Sequence, residues 1–265
     1  MNGVVDLQIW QMVAAYVFVL ILLVIVRIKG IRRETEILIS TFRMTIQLIL
    51  TGYVLVYLFE KPNPIYTILI IIVMEIFAIN NIIKRIKQKT SASLKKTIAI
   101  SMICGTILSL FFFILIVVNV SPWYDPRYFI PIAGMLVGNS MTGISLGVTR
   151  LVDGFHMQSS LVEGALMLGA TPKMASKQIV NNAFDSAILP TINSMVGMGI
   201  VFLPGMMTGQ ILSGTSPLTA IEYQIAIMLG ILGSVALTVI IFVHLGYKTF
   251  FNKQDQLVLD DWSEK

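Results

Sequence analysis

Apolar residues run in long blocks along most of this chain, and short polar clusters separate them. The first block, Gln8 to Val26, ends in Arg27, Lys29, Arg32 and Arg33. The second runs from Glu36 to Leu58 and stops before Glu60-Lys61-Pro62-Asn63-Pro64. The third, Ile65 to Ile83, meets Lys84, Arg85, Lys87, Lys89, Lys95 and Lys96. The fourth, Thr97 to Val120, precedes the turn Ser121-Pro122-Trp123-Tyr124-Asp125-Pro126, whose aromatics suit interface depth. The fifth is Arg127 to Thr149 and the sixth Ala183 to Phe202, with a break at Pro204-Gly205. A glycine-rich connection, Met206 to Pro217, leads to the seventh, Ile221 to Leu245, and to a polar tail. At 1.5 Å per residue, roughly 20 apolar residues make a helix long enough for a hydrocarbon core of about 30 Å. The pattern predicts an all-α, polytopic integral membrane protein with about seven transmembrane helices, called spans 1 to 7 below.

The longest polar gap, 150–182, lies between spans 5 and 6. Within it Ser159 to Met167 reads as a short amphipathic helix. Ser159 or Ser160 caps it, with Glu163 at capping-box spacing after Ser160. Leu161, Ala165 and Leu168 share a face, and Gly169-Ala170-Thr171-Pro172 ends it. A helix too short to span, held between two spans, can pass motion from a partner into the membrane. A plain connector would have the same length and composition.

Composition narrows the class. Of 265 residues, 56% are hydrophobic and only 12% charged, where a soluble domain carries roughly a quarter charged residues. The net charge of +5 is no nucleic-acid signal, because the basic residues cluster at span ends. Sixteen of the 19 Lys and Arg fall after spans 1, 3 and 5 or in the tail; Lys61 and Arg127 lie on the other side, and Arg43 lies inside span 2. The positive-inside rule then puts the N-terminus outside and the C-terminus in the cytoplasm. Asp6 precedes the first apolar run and no Lys or Arg does, so this run reads as a span rather than a cleavable signal. The one cysteine, Cys104, sits in an apolar run. No G-x-x-x-x-G-K-[ST] loop occurs, so the chain holds no nucleotide by that motif and no cofactor of its own is expected.

Polar residues within the spans are the candidates for a translocation path. Span 2 carries Ser40, Arg43, Gln47 and Thr51 on one face; span 3 carries Glu75, Asn80 and Asn81. Arg43 and Glu75 lie at similar depths, about 10 and 13 Å from one surface at 1.5 Å per residue, which predicts an ion pair between them. Such a pair either locks the two helices together or forms part of a pathway. Asn139, Asn193 and Gln210 are further path candidates. Met206 and Met207, with Met195 and Met198, group around the span 6 break; thioethers either fill irregular cores or favour soft metals. The metal ligands themselves are not specified by any spacing. Gly134, Gly138, Gly143, Gly147 and Gly230 stand in small-residue seams that let helices approach closely, or let two copies meet.

Several stretches carry a family resemblance. Glu163-Gly164-Ala165-x-x-x-Gly169 resembles the coupling segment of ATP-binding-cassette permeases, with Gly164 in place of an Ala. Arg43-x-Thr45-x-Gln47-Leu48, Tyr128-Phe129-Ile130-Pro131-Ile132-x-Gly134-Met135, Gly138-Asn139-x-Met141, Leu168-Gly169-Ala170-Thr171 and Leu203 to Leu212 resemble the FetB permease family. That resemblance covers nearly the whole chain. It implies one permease domain over 1–265, with a cytoplasmic coupling loop at 150–182. It implies a separate cytoplasmic ATPase of the FetA kind, which would hold the ATP and magnesium, and a permease homodimer in the inner membrane. Glu163, Gly164, Ala165, Leu168, Gly169 and Ala170 would then be the coupling residues. The family is linked to export of iron, with plant relatives linked to aluminium tolerance and one of those to a nucleotide sugar. An ion-coupled secondary transporter or channel, with Arg43 and Glu75 as a charge relay, is the reading from a different class.

Overall fold

The computed structural model describes residues 7–86 and 91–259. Lys87, Lys89 and Lys265 of the basic clusters lie outside the described residues. The first apolar block forms two helices, α1 (Ile9–Ala15) and α2 (Val17–Ile28), meeting at Tyr16. Next come α3 (Glu34–Glu60) and α4 (Pro64–Arg85). In the tight turn between them Asn63 caps α4, its side chain accepting from the Ile65 amide, with Pro64 at the first helical position. α5 (Ala92–Phe112) starts a turn and a half before the expected span 4, so Lys95 and Lys96 are helical. It widens into a π-helix over Phe113–Val118.

α6 (Pro126–Met157) is the longest element and runs two turns past the expected end of span 5. The polar gap is therefore mostly helix: the end of α6, then α7 (Ser159–Met167), α8 (Pro172–Ala175) and the start of α9 (Lys177–Gly197). α9 ends five residues before the expected Phe202. A tight irregular turn follows, with Gly199 at φ +82° and its amide bonded to Phe202 O at 3.0 Å. The glycine-rich connection is also partly helical, forming α10 (Gly205–Leu212). α11 (Pro217–Gly246) and a 3-10 turn, Tyr247–Phe250, close the bundle.

By length and apolar composition six stretches can cross a membrane: Ile9–Ile28, Glu34–Glu60, Pro64–Arg85, Ala92–Val118, Pro126–Met157 and Pro217–Phe250. The expected sixth span is absent from that set. Lys177, Asn181, Asn182, Asp185 and Asn193 make α9 too polar for it, and the helix is broken before α10. The two pieces still carry the chain from one end of the bundle to the other. Ile179 of α9 sits against Gly154 near the end of α6, while α10 leads into the start of α11.

The buried core is built by α4, α5, α6, α9 and α11. α6 and α11 meet through a hydroxyl bridge, Ser140 to Ser234 at 3.0 Å. A Cβ at Gly143 would lie 3.0 Å from Val235 Cγ1 and 3.2 Å from Ala187 O; one at Gly147 would lie 3.3 Å from Ala187 Cβ. One at Gly230 would lie 2.7 Å from the Phe113 ring. These three glycines are close-packing positions, as the small-residue seams predict. Gly134 approaches only the Met74 methyl, at 3.9 Å, and Gly138 has nothing within 4 Å. That half of the expected seam makes no close helix contact among the described residues. α1 to α3 lie at the periphery, and Leu58 is the one buried residue of α3.

Candidate functional site

Two regions combine unusual chemistry with defined geometry: a platform at one end of the bundle, and polar groups at membrane depth. The platform is α7 and α8. Gln158 hinges it, since its amide bonds Gly154 O at the end of α6 and its carbonyl accepts from Val162 at the start of α7, both at 3.0 Å. Gln158 is thus the N-cap residue, and no side chain caps α7. The capping box expected from Ser160 and Glu163 does not form, because α6 runs almost directly into α7.

The C-terminus of α7 follows the expected pattern closely. Gly169 adopts φ +89°, with its amide on Leu166 O at 2.9 Å and the Ala170 amide on Ala165 O at 3.0 Å. That pair of bonds is the Schellman arrangement, which needs a left-handed residue at Gly169. Thr171 then caps α8, with Pro172 at its first position. Val162 is the buried residue of α7 and anchors it in the core. Beneath the hinge, the Phe155 ring stacks on Phe250 at 4.1 Å and meets Phe251 edge-on at 5.8 Å. The described residues after α11 fold back onto the end of α6 through Phe250 and Phe251 rather than trailing as a plain polar tail.

The outer surface of this platform is apolar and open. Leu161, Met167, Leu168 and Met174 are exposed, Leu168 at 91%, beside exposed Glu163, Lys173 and Lys177. Apolar exposure on the long helices has lipid as its solvent. The nine-residue α7, shared with charged groups at the bundle end, is too short to cross a membrane, and its apolar patch lies outside the candidate spans. Glu163, Gly164, Ala165, Leu168, Gly169 and Ala170 lie together on α7 and its C-terminal turn.

At membrane depth the structure separates the two charges that the sequence pairs. Arg43 lies over the Phe77 ring, 5.1 Å from its centroid. Glu75 is buried and its Oε1 bonds the Thr106 hydroxyl on α5, leaving Oε2 without a partner. Residues 75 and 77 point to opposite sides of α4, so the Arg43–Glu75 ion pair does not form. Among the described residues the ion pair is Arg33 to Glu36, 3.5 Å apart. The charge relay expected for a secondary transporter loses its direct link. Gln47 shares a cleft with Arg43 between α3 and α4.

The other path candidates are scattered. Asn139 is exposed on α6 and donates to Met135 O at 2.7 Å. Asn193 is exposed on α9, and Gln210 is half-buried on α10. Met207 is buried, and Met195, Met198 and Met206 pack against the core. Buried Gln224 donates to Met198 Sδ at 3.8 Å. Among the described residues no three His, Cys, Asp or Glu side chains converge on a metal site. Sequence reasoning missed Gly105 and Gly154. A Cβ at Gly105 would lie 2.6 Å from Thr238 Cα, and one at Gly154 2.6 Å from Ile179 Cγ2. Ser101-xxx-Gly105-xxx-Ser109 is the small-residue spacing that could have found the first.

The sequence matches the Uncharacterised protein family (UPF0014) over residues 9–251. Its relatives include Protein ALUMINUM SENSITIVE 3 of Arabidopsis thaliana, 37% identical over 92% of this chain and 88% of that one. The UPF0014 membrane protein YjkA of Bacillus subtilis (strain 168) is 35% identical over 91% and 94%. The Probable iron export permease protein FetB of Escherichia coli (strain K12) is 34% identical over 95% of both. No solved structure matches the chain significantly.

Proposed function

As the chain belongs to the Uncharacterised protein family (UPF0014), we propose that this multi-pass membrane permease is the membrane subunit of an ATP-binding-cassette exporter, driven by a separate cytoplasmic ATPase. The observation that carries the reading is the α7–α8 platform: short, anchored by Val162 and the Phe155–Phe250 stack, and apolar on its outer face. A motor outside the membrane needs a rigid handle, and this one is fused end to end with α6 through Gln158 and followed directly by α9. Closure of two ATPases would push α7, and α6 and α9 would carry the displacement to the break before α10. Broken helices of that kind expose backbone groups that suit a transport path.

In this reading the platform end faces the cytoplasm of an inner-membrane protein with its N-terminus outside, as the basic clusters after α2 and α4 favour. Two copies would meet through the face of α6 that carries Gly138, Asn139 and Thr142, where Asn139 and Thr142 are exposed and a Cβ at Gly138 would meet nothing within 4 Å. The cargo is iron or a related metal, by analogy with the relative named as a probable iron export permease. Asn139, Asn193 and Gln210 would supply oxygen ligands, which hard metals prefer.

The test uses a Cys104→Ser background, since Cys104 is the one native cysteine. Single cysteines at Glu163 and Leu168 should cross-link to a co-expressed FetA-like ATPase, and ferrous iron should stimulate ATP hydrolysis by the reconstituted pair. Iron export from vesicles by the chain alone, driven by a proton gradient, would overturn the reading.

A further inference from the structure

α3 and α4 splay apart on the side that holds Arg43, and the opening is a cleft of about 480 Å³. Arg43, Asn80, Asn81 and Lys84 line it, with Phe77 backing the guanidinium. A second hollow of about 300 Å³ continues it along α3, past Ser40 and Gln47. Positions 77, 80, 81 and 84 share one face of α4, and 40, 43 and 47 share one face of α3, so the helical repeat points all these groups into one space.

The charges there are one-sided. Arg43 and Lys84 enter the cleft, and among the described residues no carboxylate lines it. Glu36, on the same face of α3 toward its start, is taken by Arg33. Glu75 of α4 turns the other way, to Thr106. Arg43 sits nine residues into α3, roughly 13 Å along the axis from Glu34 at 1.5 Å per residue. A guanidinium at such a depth is normally paired or lines a polar cavity, and here its described neighbour is an aromatic ring. The donors of one guanidinium, one ammonium and the Asn80, Asn81 and Gln47 amides exceed what a single carboxylate accepts, and they match a phosphate. Val73 and Ile76 form the deeper wall, and both are exposed apolar residues. Lys84 stands at the end of the cleft near the terminus of α4, Arg43 lies about two helical turns further in over Phe77, and Val73 and Ile76 supply the apolar wall beside it.

We propose that this cleft binds an anionic phosphate group at Arg43 and Lys84, with the apolar continuation of the same molecule lying on Val73 and Ile76. A phospholipid headgroup and a free phosphate compound share the recognised chemistry. The site repels bare cations, so it stands apart from any metal path through Asn139, Asn193 and Gln210. It also stands apart from the proposed ATPase, because binding needs no transport.

The experiment places the full chain in nanodiscs of phosphatidylcholine with added phosphatidylglycerol and measures retained lipid by native mass spectrometry. Wild type should retain phosphatidylglycerol at least tenfold over phosphatidylcholine, and Arg43→Gln/Lys84→Gln should bring that ratio to about one. Asn81→Asp, a near-isosteric change that sets a carboxylate in the cleft, should do the same while melting like wild type, which covers misfolding of the double variant. Arg27→Gln/Lys29→Gln, elsewhere on the basic surface, should leave the preference intact. Competition by millimolar inorganic pyrophosphate distinguishes the sources: displacement identifies a free phosphate compound as occupant, and resistance identifies the lipid headgroup. Equal retention by wild type, Arg43→Gln/Lys84→Gln and Asn81→Asp, with no pyrophosphate binding, would overturn the proposal.

Discussion

Leu168→Ala isolates the docking role of α7 from its folding role. Leu168 is 91% exposed, so the isolated chain loses almost no burial when the side chain is cut back. Its melting should shift by no more than an exposed substitution does, within about 0.5 kcal/mol. In a complex the same side chain would be buried. Burying a whole leucine side chain is worth about 1.5–3 kcal/mol, and alanine keeps its first carbon, leaving about 1–2 kcal/mol. That is a five- to thirty-fold loss of affinity, at about 1.4 kcal/mol per decade. Val162→Ala is the complement. Val162 is 2% exposed, so losing two methyl groups there should cost roughly 1.5–2.5 kcal/mol of fold stability. Interferometry of the solubilised permease against its ATPase gives the affinities, and thermal unfolding in the same detergent gives the stabilities. If Leu168→Ala binds within twofold of wild type while its melting is unchanged, the outer face of α7 is not the contact surface.

Gly105→Ala should destabilise the bundle by about 1–3 kcal/mol, because the new methyl would meet the Thr238 backbone at 2.6 Å. Gly233→Ala, on the same α11 but with nothing within 4 Å, should be neutral or slightly stabilising; paired thermal melts decide. Thr106→Val should cost about 1–3 kcal/mol by leaving both Glu75 oxygens unbonded in the core, whereas Glu75→Gln should stay closer to wild type because the amide still reaches Thr106. Gly169→Ala meets no clash, yet its φ of +89° should cost about 1–2 kcal/mol through left-handed backbone strain; proteolysis within 159–172 should rise before global unfolding does.

How far the chain could be read without coordinates differed by element. The C-terminus of α7 was legible to the residue, because Gly169 marks an end whose bonding pattern requires a left-handed position. Its N-terminus was not, since continuity of α6 through Gln158 removed the need for a side-chain cap. In the polar gap Ser159 to Met167 reads as helix from the sequence, while the extension of α6 and α9 into it does not, because charged residues at the end of a bundle suit an exposed helix as well as a turn. Asn181, Asn182 and Asp185 made α9 a poor span by composition, yet the core holds it through Ile179, Ala183 and Ala187. Matched depth suggested the Arg43–Glu75 pair, but depth says nothing of rotation about α4, and a two-residue offset turned the groups apart.

Sequence alone settled the class, because runs of about twenty apolar residues have one stable solvent, and a helix is the form that satisfies its backbone there. It also set the division between apolar spans and the polar segment that holds α7. Tertiary structure decided which glycines are contacts, since Gly105, Gly143 and Gly230 meet another helix while Gly138 meets none. It likewise decided which charges have partners, and it put Phe250 beneath Phe155 to support the platform. Helical periodicity fixes where a residue points on its own helix; only packing fixes what stands opposite.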